Sequence, residues 1–303
     1  MFYNGPCVND VEYREEPCRS ALNRVRGMPF EWSLNPYMGC AHKCTFCYVR
    51  NFEQRADRPS DDRYGRSIRV KPNIAEVLRR ELNRPSWQRE TVSIGAATDP
   101  YQPAEGRFKL TRGCLVELSN ARTPFSIITR GPLVVRDIDV LQEASSRAEV
   151  SVYFSIPTLD ERVWRTTEPG TAPPRSRLEA VRRLSEAGID VGVGMAPILP
   201  GLSDRPEQLE EVVREARAAG ARSIWANVLY LRPGTREYFL EALAQDWPEK
   251  VAHYEALYST RAYLPSAIAK PITEPVRRAT ALSPSPTRRS PVSREPQQLA
   301  LTF

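Results

Sequence analysis

The sequence predicts an α/β fold around a parallel sheet, and three observations support this prediction. From residue 91 to beyond residue 235, short runs rich in β-branched residues alternate with longer runs of helical periodicity. The connections of about ten residues or more suit helical crossovers, which join parallel strands in a right-handed sense. With 303 residues, of which 41% are hydrophobic, the chain is long enough to bury one large core or two modest ones.

Five strand and helix pairs follow one another in this region. The strands are predicted at 91–94, 125–129, 150–156, 190–195 and 223–229, and the helices at 115–121, 137–147, 176–187, 206–219 and from residue 235 onward. Five or six such units form a parallel barrel or part of one, although an open doubly wound sheet has the same alternation. In both folds, functional side chains lie on loops after the carboxyl ends of the strands.

Composition changes at both ends of this region. Residues 1–27 are polar and irregular, and we interpret them as a lead segment wrapped on a single domain that spans 28–265. Residues 266–303 are rich in Pro, Ser and Arg and bury too little apolar surface to offset the entropy of ordering, so we predict a disordered tail. The tail carries most of the net charge of +6, which favours a role in solubility over strong nucleic-acid binding.

The sequence also bears on cellular location. No window approaches the roughly 20 apolar residues that cross a bilayer, and the first 30 residues contain charges and prolines in place of a signal core. Three of the six cysteines fall within eight positions, unlike a disulfide framework. We therefore expect a cytoplasmic protein without membrane contact.

Those three cysteines, Cys40, Cys44 and Cys47, have the spacing C-x3-C-x2-C and follow an extended segment at 31–36. Thiolates are the usual ligands of iron–sulfur clusters, and one loop with this spacing supplies three of them. A cubane has four irons, so three thiolates leave one iron open, and an open position on a metal indicates chemistry. We predict a 4Fe–4S cluster. The alternative is a structural zinc site that adds His42, at a spacing unlike the usual zinc knuckles.

The cysteine motif resembles the radical SAM (S-adenosylmethionine) superfamily, and further segments resemble its branch that contains spore photoproduct lyase. The similar segments lie between about residues 30 and 231 and read NPYMGCAHKCTFCYVR, SIGAATDPYQPAE, SIITR, SIPTLD, EPG, RLEAVRRLSEAGI and MAPILPGLSD. The resemblance implies a partial (βα)6 TIM-like barrel. It also implies a lyase-like enzyme that binds S-adenosylmethionine at the open iron and, with an electron from a reducing donor, cleaves it to a 5′-deoxyadenosyl radical.

The same resemblance implies five cofactor-binding residues at successive strand ends. Thr98 corresponds to a hydroxyl contact with the methionine part, and Ser155 to a ribose contact, while Phe46 and Ala196 match positions that line adenine. Arg130 stands where the family usually has lysine, and its planar guanidinium suits the cofactor carboxylate. Taken singly, strand-end Ser and Thr also cap helices, and Phe46 also suits an ordinary core position.

Acidic residues near these strand ends have two interpretations. We expect Glu105 to cap the next helix, whereas Asp99 is either a cap or part of a lid over the site. Asp160, Glu161 and Glu168 are either helix-start charges or groups that hold substrate.

The substrate is not identified by any residue. Spore photoproduct lyase has a cysteine hydrogen donor in the segment that reads Ala96-Ala97 here, so repair by the same route is not expected. Tyr48 or Tyr101 is a candidate relay in its place. DNA or nucleotide repair, an enzyme acting on protein or a small metabolite, and a non-enzymatic cluster or zinc protein that binds nucleic acid all stay open.

The last six residues, Gln298 to Phe303, read QLALTF and resemble the peptides with which bacterial repair proteins dock on the sliding clamp. Alternate side chains of an extended peptide fill pockets, and Leu299, Leu301 and Phe303 alternate in this way. A flexible linker would tether the enzyme near DNA. The alternatives are that these residues pack back on the barrel or that the hexamer matches by chance.

Overall fold

The computed structural model describes residues 11–28 and 30–286. Its strands are β1 (Glu12–Glu15), β2 (Leu22–Arg24), β3 (Trp32–Leu34), β4 (Tyr37–Met38), β5 (Ser67–Val70), β6 (Val92–Ile94), β7 (Phe125–Thr129), β8 (Val150–Ser155), β9 (Asp190–Ile198) and β10 (Ser223–Val228). Its helices are α1 (Val49–Arg55), α2 (Ile74–Leu82), α3 (Pro103–Phe108), α4 (Leu110–Asn120), α5 (Ile138–Ser145), α6 (Glu161–Thr167), α7 (Pro174–Glu186), α8 (Pro206–Ala218), α9 (Thr235–Asp246), α10 (Val251–Leu257) and α11 (Ser266–Leu282), with 3-10 turns at Pro132–Asp137 and Pro248–Lys250.

The main sheet confirms the predicted α/β fold. Its strands lie in the order β2, β3, β6, β7, β8, β9, β10, and all neighbours after β3 are parallel, whereas β2 is antiparallel to β3. The six parallel strands follow chain order without the reversal that defines a doubly wound sheet. That order is the one a partial (βα)6 barrel requires. In the described ranges, β2 and β10 form the two edges.

The core lies between this sheet and the helices. Side chains alternate along a strand, and in β8 the buried Val150, Val152 and Phe154 join one cluster with Leu178 and Leu184 of α7. On the opposite face, β8 carries Ser151, Tyr153 and Ser155, and the rings of Tyr153 and Trp225 approach the glycines of β9. No helix of the described residues is both long and apolar enough to cross a membrane.

A small second sheet is built from β4 and β5, which lie in the connection between β3 and β6, together with β1 of the lead segment. In it β5 pairs in parallel with β1 and antiparallel with β4. The lead segment is therefore not irregular over Glu12–Glu15 and Leu22–Arg24, contrary to the prediction. These strands are short and largely exposed, so no local periodicity marks them; β1 pairs with the distant β5, whereas β2 pairs with the neighbouring β3.

The prediction of a disordered tail from residue 266 is wrong for Ser266–Leu282, which forms α11. Ile272, Val276 and Ala279 recur at helical spacing and pack on the main core, and α11 contacts α8 and β10. The average composition of the segment, with Pro271 and Pro275, hides this apolar stripe. The predicted clamp-binding peptide lies outside the described residues.

Candidate functional site

The cysteine loop, residues 39–47, lies at the carboxyl end of the first parallel strand. Cys40 and Cys44 are buried and Cys47 is half-buried, and all three are free thiols. Gly39 and Lys43 have left-handed backbones, with φ of 85° and 52°. The amide of Cys47 donates to the Cys44 carbonyl at 3.2 Å. These turns bring three thiols onto one compact loop, directly before α1.

The loop after β6 holds the cysteine loop by side-chain hydrogen bonds. The Thr98 hydroxyl donates to the Gly39 carbonyl at 2.6 Å, and the Gln102 side-chain amide donates to the same carbonyl at 3.1 Å. The Gln102 side-chain carbonyl accepts from the Ala41 amide at 2.9 Å. The polar residues of TDPYQ thus fix the backbone that presents the thiols. The contribution of Gln102 was not predicted from the sequence.

Asp99 is buried and links three parts of the site. Its carboxylate accepts from the Thr129 hydroxyl at 2.7 Å and from the Arg130 amide at 2.6 Å, and it lies 3.3 Å from His42 Nδ1. Burial alone would raise the pKa of Asp99, but the His42 charge and these hydrogen bonds lower that pKa to about 2. Asp99 is therefore a carboxylate that joins the cysteine loop to the end of β7.

For the zinc alternative, the Asp99 contact occupies Nδ1 of His42 and leaves Nε2 as the nitrogen that would bind the ion. In the described ranges, no three His, Cys, Asp or Glu side chains converge on a point that would hold a single metal ion. A cubane spreads its ligands over separate irons, so the three thiols suit a cluster better than one tetrahedral ion.

The helix cap predicted at Glu105 is confirmed, and Asp160 has the helix-start role that was one of its two interpretations. Glu105 accepts from the amides of Thr111 and Arg112, at 2.9 and 3.2 Å, in the first turn of α4. Asp160 accepts from the Val163 amide at 3.0 Å at the start of α6. Both carboxylates thus have the structural role that is typical of a helix N-terminus.

Glu168 follows the end of α6 and forms a buried ion triad. Its Oε2 lies 3.0 Å from Arg130 Nε and 2.7 Å from Arg177 Nη1. Only 1% of the Glu168 side chain and none of Arg177 is exposed. Its other oxygen, Oε1, is buried and has no hydrogen-bond partner among the described residues. Because an unsatisfied buried acceptor is costly, Oε1 is available to a donor such as a water or a bound ligand.

Most of the predicted cofactor residues lie close together. The Arg130 guanidinium carbon is 5.5 Å from the centroid of the Phe46 ring, and Arg130 Nη2 donates to the Ala196 carbonyl at 3.1 Å. Ser155 ends β8 and pairs in register with Gly194, two residues before Ala196. Thr98 instead directs its hydroxyl to the cysteine loop. The structure therefore brings four of the five together, and their roles toward a cofactor stay predictions.

The donor set fits an iron–sulfur cluster. Burial raises the pKa of Cys44 to about 12, although the positive charges of Arg130 and Arg177 act against that rise. Burial likewise raises the pKa of Cys40 well above its usual value. Thiols in this setting lose their protons on binding metal, and the two arginines offset the negative charge that results.

An aromatic surface lies next to Cys47 and consists of Tyr48, Phe52, Tyr230 and Tyr263. The Tyr48 ring centroid is 5.9 Å from that of Phe52 and 6.2 Å from that of Tyr230, which stacks on Tyr263 at 4.8 Å. Tyr263 is 53% exposed and Phe52 42%. Arg232 donates to the Tyr263 hydroxyl at 3.0 Å. Of this surface only Tyr48 was singled out from the sequence, because the other rings join it through tertiary folding alone.

Comparison with known proteins gives independent information. The model of the radical SAM superfamily matches residues 34–216. An uncharacterised protein of Mycobacterium bovis is 39% identical over 274 residues, covering 89% of this chain and 81% of the relative. An uncharacterised protein of Methanocaldococcus jannaschii is 27% identical over 257 residues, covering 84% of this chain and 89% of the relative.

Solved structures show the same fold. Spore photoproduct lyase complexed with dinucleoside spore photoproduct has a TM-score of 0.68 to this chain and covers 89% of it and 79% of the lyase chain. The sequence identity is 16%, so the likeness concerns the fold.

Proposed function

The chain belongs to the radical SAM superfamily, and from this we propose that it binds a 4Fe–4S cluster through Cys40, Cys44 and Cys47 and cleaves S-adenosylmethionine reductively. One observation carries the proposal: three thiols lie on a single loop whose backbone is fixed by the loop after β6. The enzyme starts radical chemistry on its substrate.

When bound, the cluster supplies an open iron and one electron, with which the sulfonium is broken to methionine and a 5′-deoxyadenosyl radical. The protein has to bind the cofactor, orient it and exclude water. The methionine end is a zwitterion, with a carboxylate and an ammonium group. Arg130 and Glu168 form an adjacent pair of opposite charges, and Glu168 Oε1 has no partner in the described chain. We assign Arg130 to the carboxylate and Glu168 to the ammonium group.

We assign the remaining cofactor contacts from where the residues lie relative to Arg130 and the cysteine loop. Phe46 and Ala196 both contact the Arg130 guanidinium, and we assign them to the adenine. Ser155, one strand away from Ala196, is assigned to the ribose. Thr98 supports the cofactor through the cysteine loop, because its hydroxyl already donates to Gly39.

DNA or a nucleotide is the substrate class that the aromatic surface favours. Nucleobases stack on aromatic rings, and four rings lie beside Cys47 with Arg232 at their edge. The structural neighbour noted above is complexed with a dinucleoside spore photoproduct. Because Ala96 and Ala97 replace the cysteine donor of that lyase, the hydrogen-atom source here is different. Tyr48, whose hydroxyl donates to the Ala96 carbonyl, is the residue we assign to that position.

The test is anaerobic reconstitution with iron and sulfide, followed by S-adenosylmethionine and dithionite. We expect a cubane in the natural chain and release of 5′-deoxyadenosine. Alanine at Cys40, Cys44 or Cys47 abolishes both. Alanine at Cys18 or Cys114, the latter a buried thiol in α4, preserves both. A cluster that survives without Cys44, or that needs Cys114, would contradict the proposal.

A further inference from the structure

Tyr64 contacts the third cysteine of the loop from outside the predicted cofactor pocket. Its hydroxyl lies 3.4 Å from Cys47 Sγ, within hydrogen-bond distance for sulfur, and the residue is 3% exposed. We propose that Tyr64 donates a hydrogen bond to the Cys47 sulfur in the loaded protein and thereby raises the reduction potential of the cluster. This inference rests on the cluster proposed above.

The direction of the hydrogen bond follows from the chemistry of the sulfur. In a thiol either atom is able to donate, but a thiolate bound to iron has no hydrogen and only accepts. The Tyr64 hydroxyl is then the donor. A hydrogen bond to a charged acceptor is about twice as strong as one between neutral groups.

The surrounding chain builds Tyr64 into this position. Arg50 is fully buried, and its Nη1 donates to the carbonyls of Ser60 and Asp61 at 2.6 Å each. The Tyr64 amide donates to the Asp61 carbonyl at 3.0 Å. Next to it, Gly65 has a left-handed backbone, and a Cβ there would overlap the Cys40 carbonyl. The segment is therefore packed directly on the cysteine loop.

Arg50 also acts on the ring itself. Its guanidinium carbon is 4.5 Å from the Tyr64 ring centroid and 3.5 Å from that of Tyr238. A cation over a phenol ring withdraws electron density and makes the hydroxyl a better donor. The positive charge of Arg50 and the hydroxyl dipole of Tyr64 thus both stabilise negative charge on the Cys47 sulfur.

The effect on potential follows from charge. One-electron reduction adds a negative charge to the cluster and its thiolates, so a donor to sulfur stabilises the reduced state more than the oxidised state. Hydrogen bonds to the ligand sulfurs are one of the determinants of cluster potential. Tyr64 therefore makes the cluster easier to reduce by its electron donor.

The first test compares Tyr64→Phe with Tyr238→Phe in reconstituted full-length protein. Both changes remove one hydroxyl from a ring that packs on Arg50, but only Tyr64 reaches Cys47. In a redox titration followed by electron paramagnetic resonance, we expect Tyr64→Phe to lower the ratio of reduced to oxidised cluster about tenfold at a fixed potential. This corresponds to about 59 mV for one electron. Tyr238→Phe leaves the ratio unchanged. Equal midpoint potentials in the natural protein and Tyr64→Phe, at equal iron content, would overturn the inference.

The second test needs no variant and covers the case in which Tyr64→Phe fails to hold a cluster. The natural protein is reconstituted in H2O and in D2O, and the Fe–S stretching bands are compared by resonance Raman spectroscopy. We expect an isotope shift of the Fe–S(Cys) bands, and identical spectra would overturn the inference. Failure of the proposed function has a separate signature, which is a natural chain that forms no cubane or releases no 5′-deoxyadenosine.

Discussion

His42 Nδ1 lies 3.3 Å from Asp99 Oδ2, and about 95% of each side chain is buried. His42 stands between the first two cysteines, whereas Asp99 follows β6 and also accepts hydrogen bonds from the end of β7. The pair therefore ties the cysteine loop to two strand ends of the sheet. The proposed cluster would have to keep a fixed position relative to its substrate, and we expect this pair to contribute to that position.

We predict that Asp99→Asn destabilises the apo-protein by about 3–5 kcal/mol, because it removes a buried paired charge and replaces one of its two acceptor oxygens with an NH2 group that faces donors. The free energy of unfolding is measured by urea titration. Asp139→Asn is the control: that carboxylate is 64% exposed and paired with Arg112, so its loss costs about 1 kcal/mol or less. Equal losses in the two variants would show that the His42–Asp99 pair does not hold the loop.

Arg130 is predicted to bind the cofactor carboxylate. Arg130→Ala should weaken S-adenosylmethionine binding to the cluster-loaded protein by about 1.5–3 kcal/mol, or roughly ten- to a hundredfold, while iron content stays unchanged. Arg130→Lys keeps the charge and should recover most of the affinity. Arg182→Ala, on the exposed side of α7, is the control. Anaerobic equilibrium dialysis gives the dissociation constants, and an unchanged constant in Arg130→Ala would remove this residue from the site.

Helix α11 gives a prediction about stability. Val276 is 3% exposed and packs on the main core, whereas Leu282 in the same helix is 78% exposed. Val276→Ala should lower the free energy of unfolding by about 2 kcal/mol, from lost burial and the cavity left behind. Leu282→Ala should change it by less than about 0.5 kcal/mol. If both variants unfold at the same denaturant concentration as the natural chain, α11 is not part of the folded core.

The five strands and the main helices between residues 91 and 246 were predictable from the sequence because each has its own periodicity, whereas the short helices α3 and α6 were not predicted. The strand Phe125–Thr129 matches the prediction at both ends, and the cysteine spacing marked the loop at once. In contrast, β1, β4 and β5 are two to four residues long, and their pairing depends on segments up to about 55 residues apart. A short strand of this kind has no periodic signal of its own.

The sequence singled out several residues of the site but did not predict which residues they contact. Glu168 was noted as a charge near a helix start, yet it lies after α6 and between two arginines from other elements. Tyr64 gave no signal at all, since its contact with Cys47 depends on the turn at 58–65. Local sequence patterns predict secondary structure and spacing, whereas the Glu168 contacts arise where separate βα units meet and the Tyr64 contact arises from a turn inside one long connection.

The last prediction concerns the aromatic surface, which supports the proposal of a DNA or nucleotide substrate. Stacking of a base on an aromatic ring contributes about 1–3 kcal/mol to binding of single strands. Tyr263→Ala removes the most exposed of the four rings, and it also removes the partner of Arg232. We expect it to weaken binding of a fluorescent single-stranded oligonucleotide about five- to a hundredfold in an anisotropy titration at fixed salt. Val116→Ala, a change at an exposed apolar residue on α4, should leave binding unchanged.

Phosphate contacts depend strongly on salt, whereas stacking depends on it much less. The ratio of affinities between the natural chain and Tyr263→Ala should therefore persist when the salt concentration is raised. Equal affinity in the two proteins, or no binding to either, would exclude this surface as a base-stacking site and favour a protein or small-metabolite substrate.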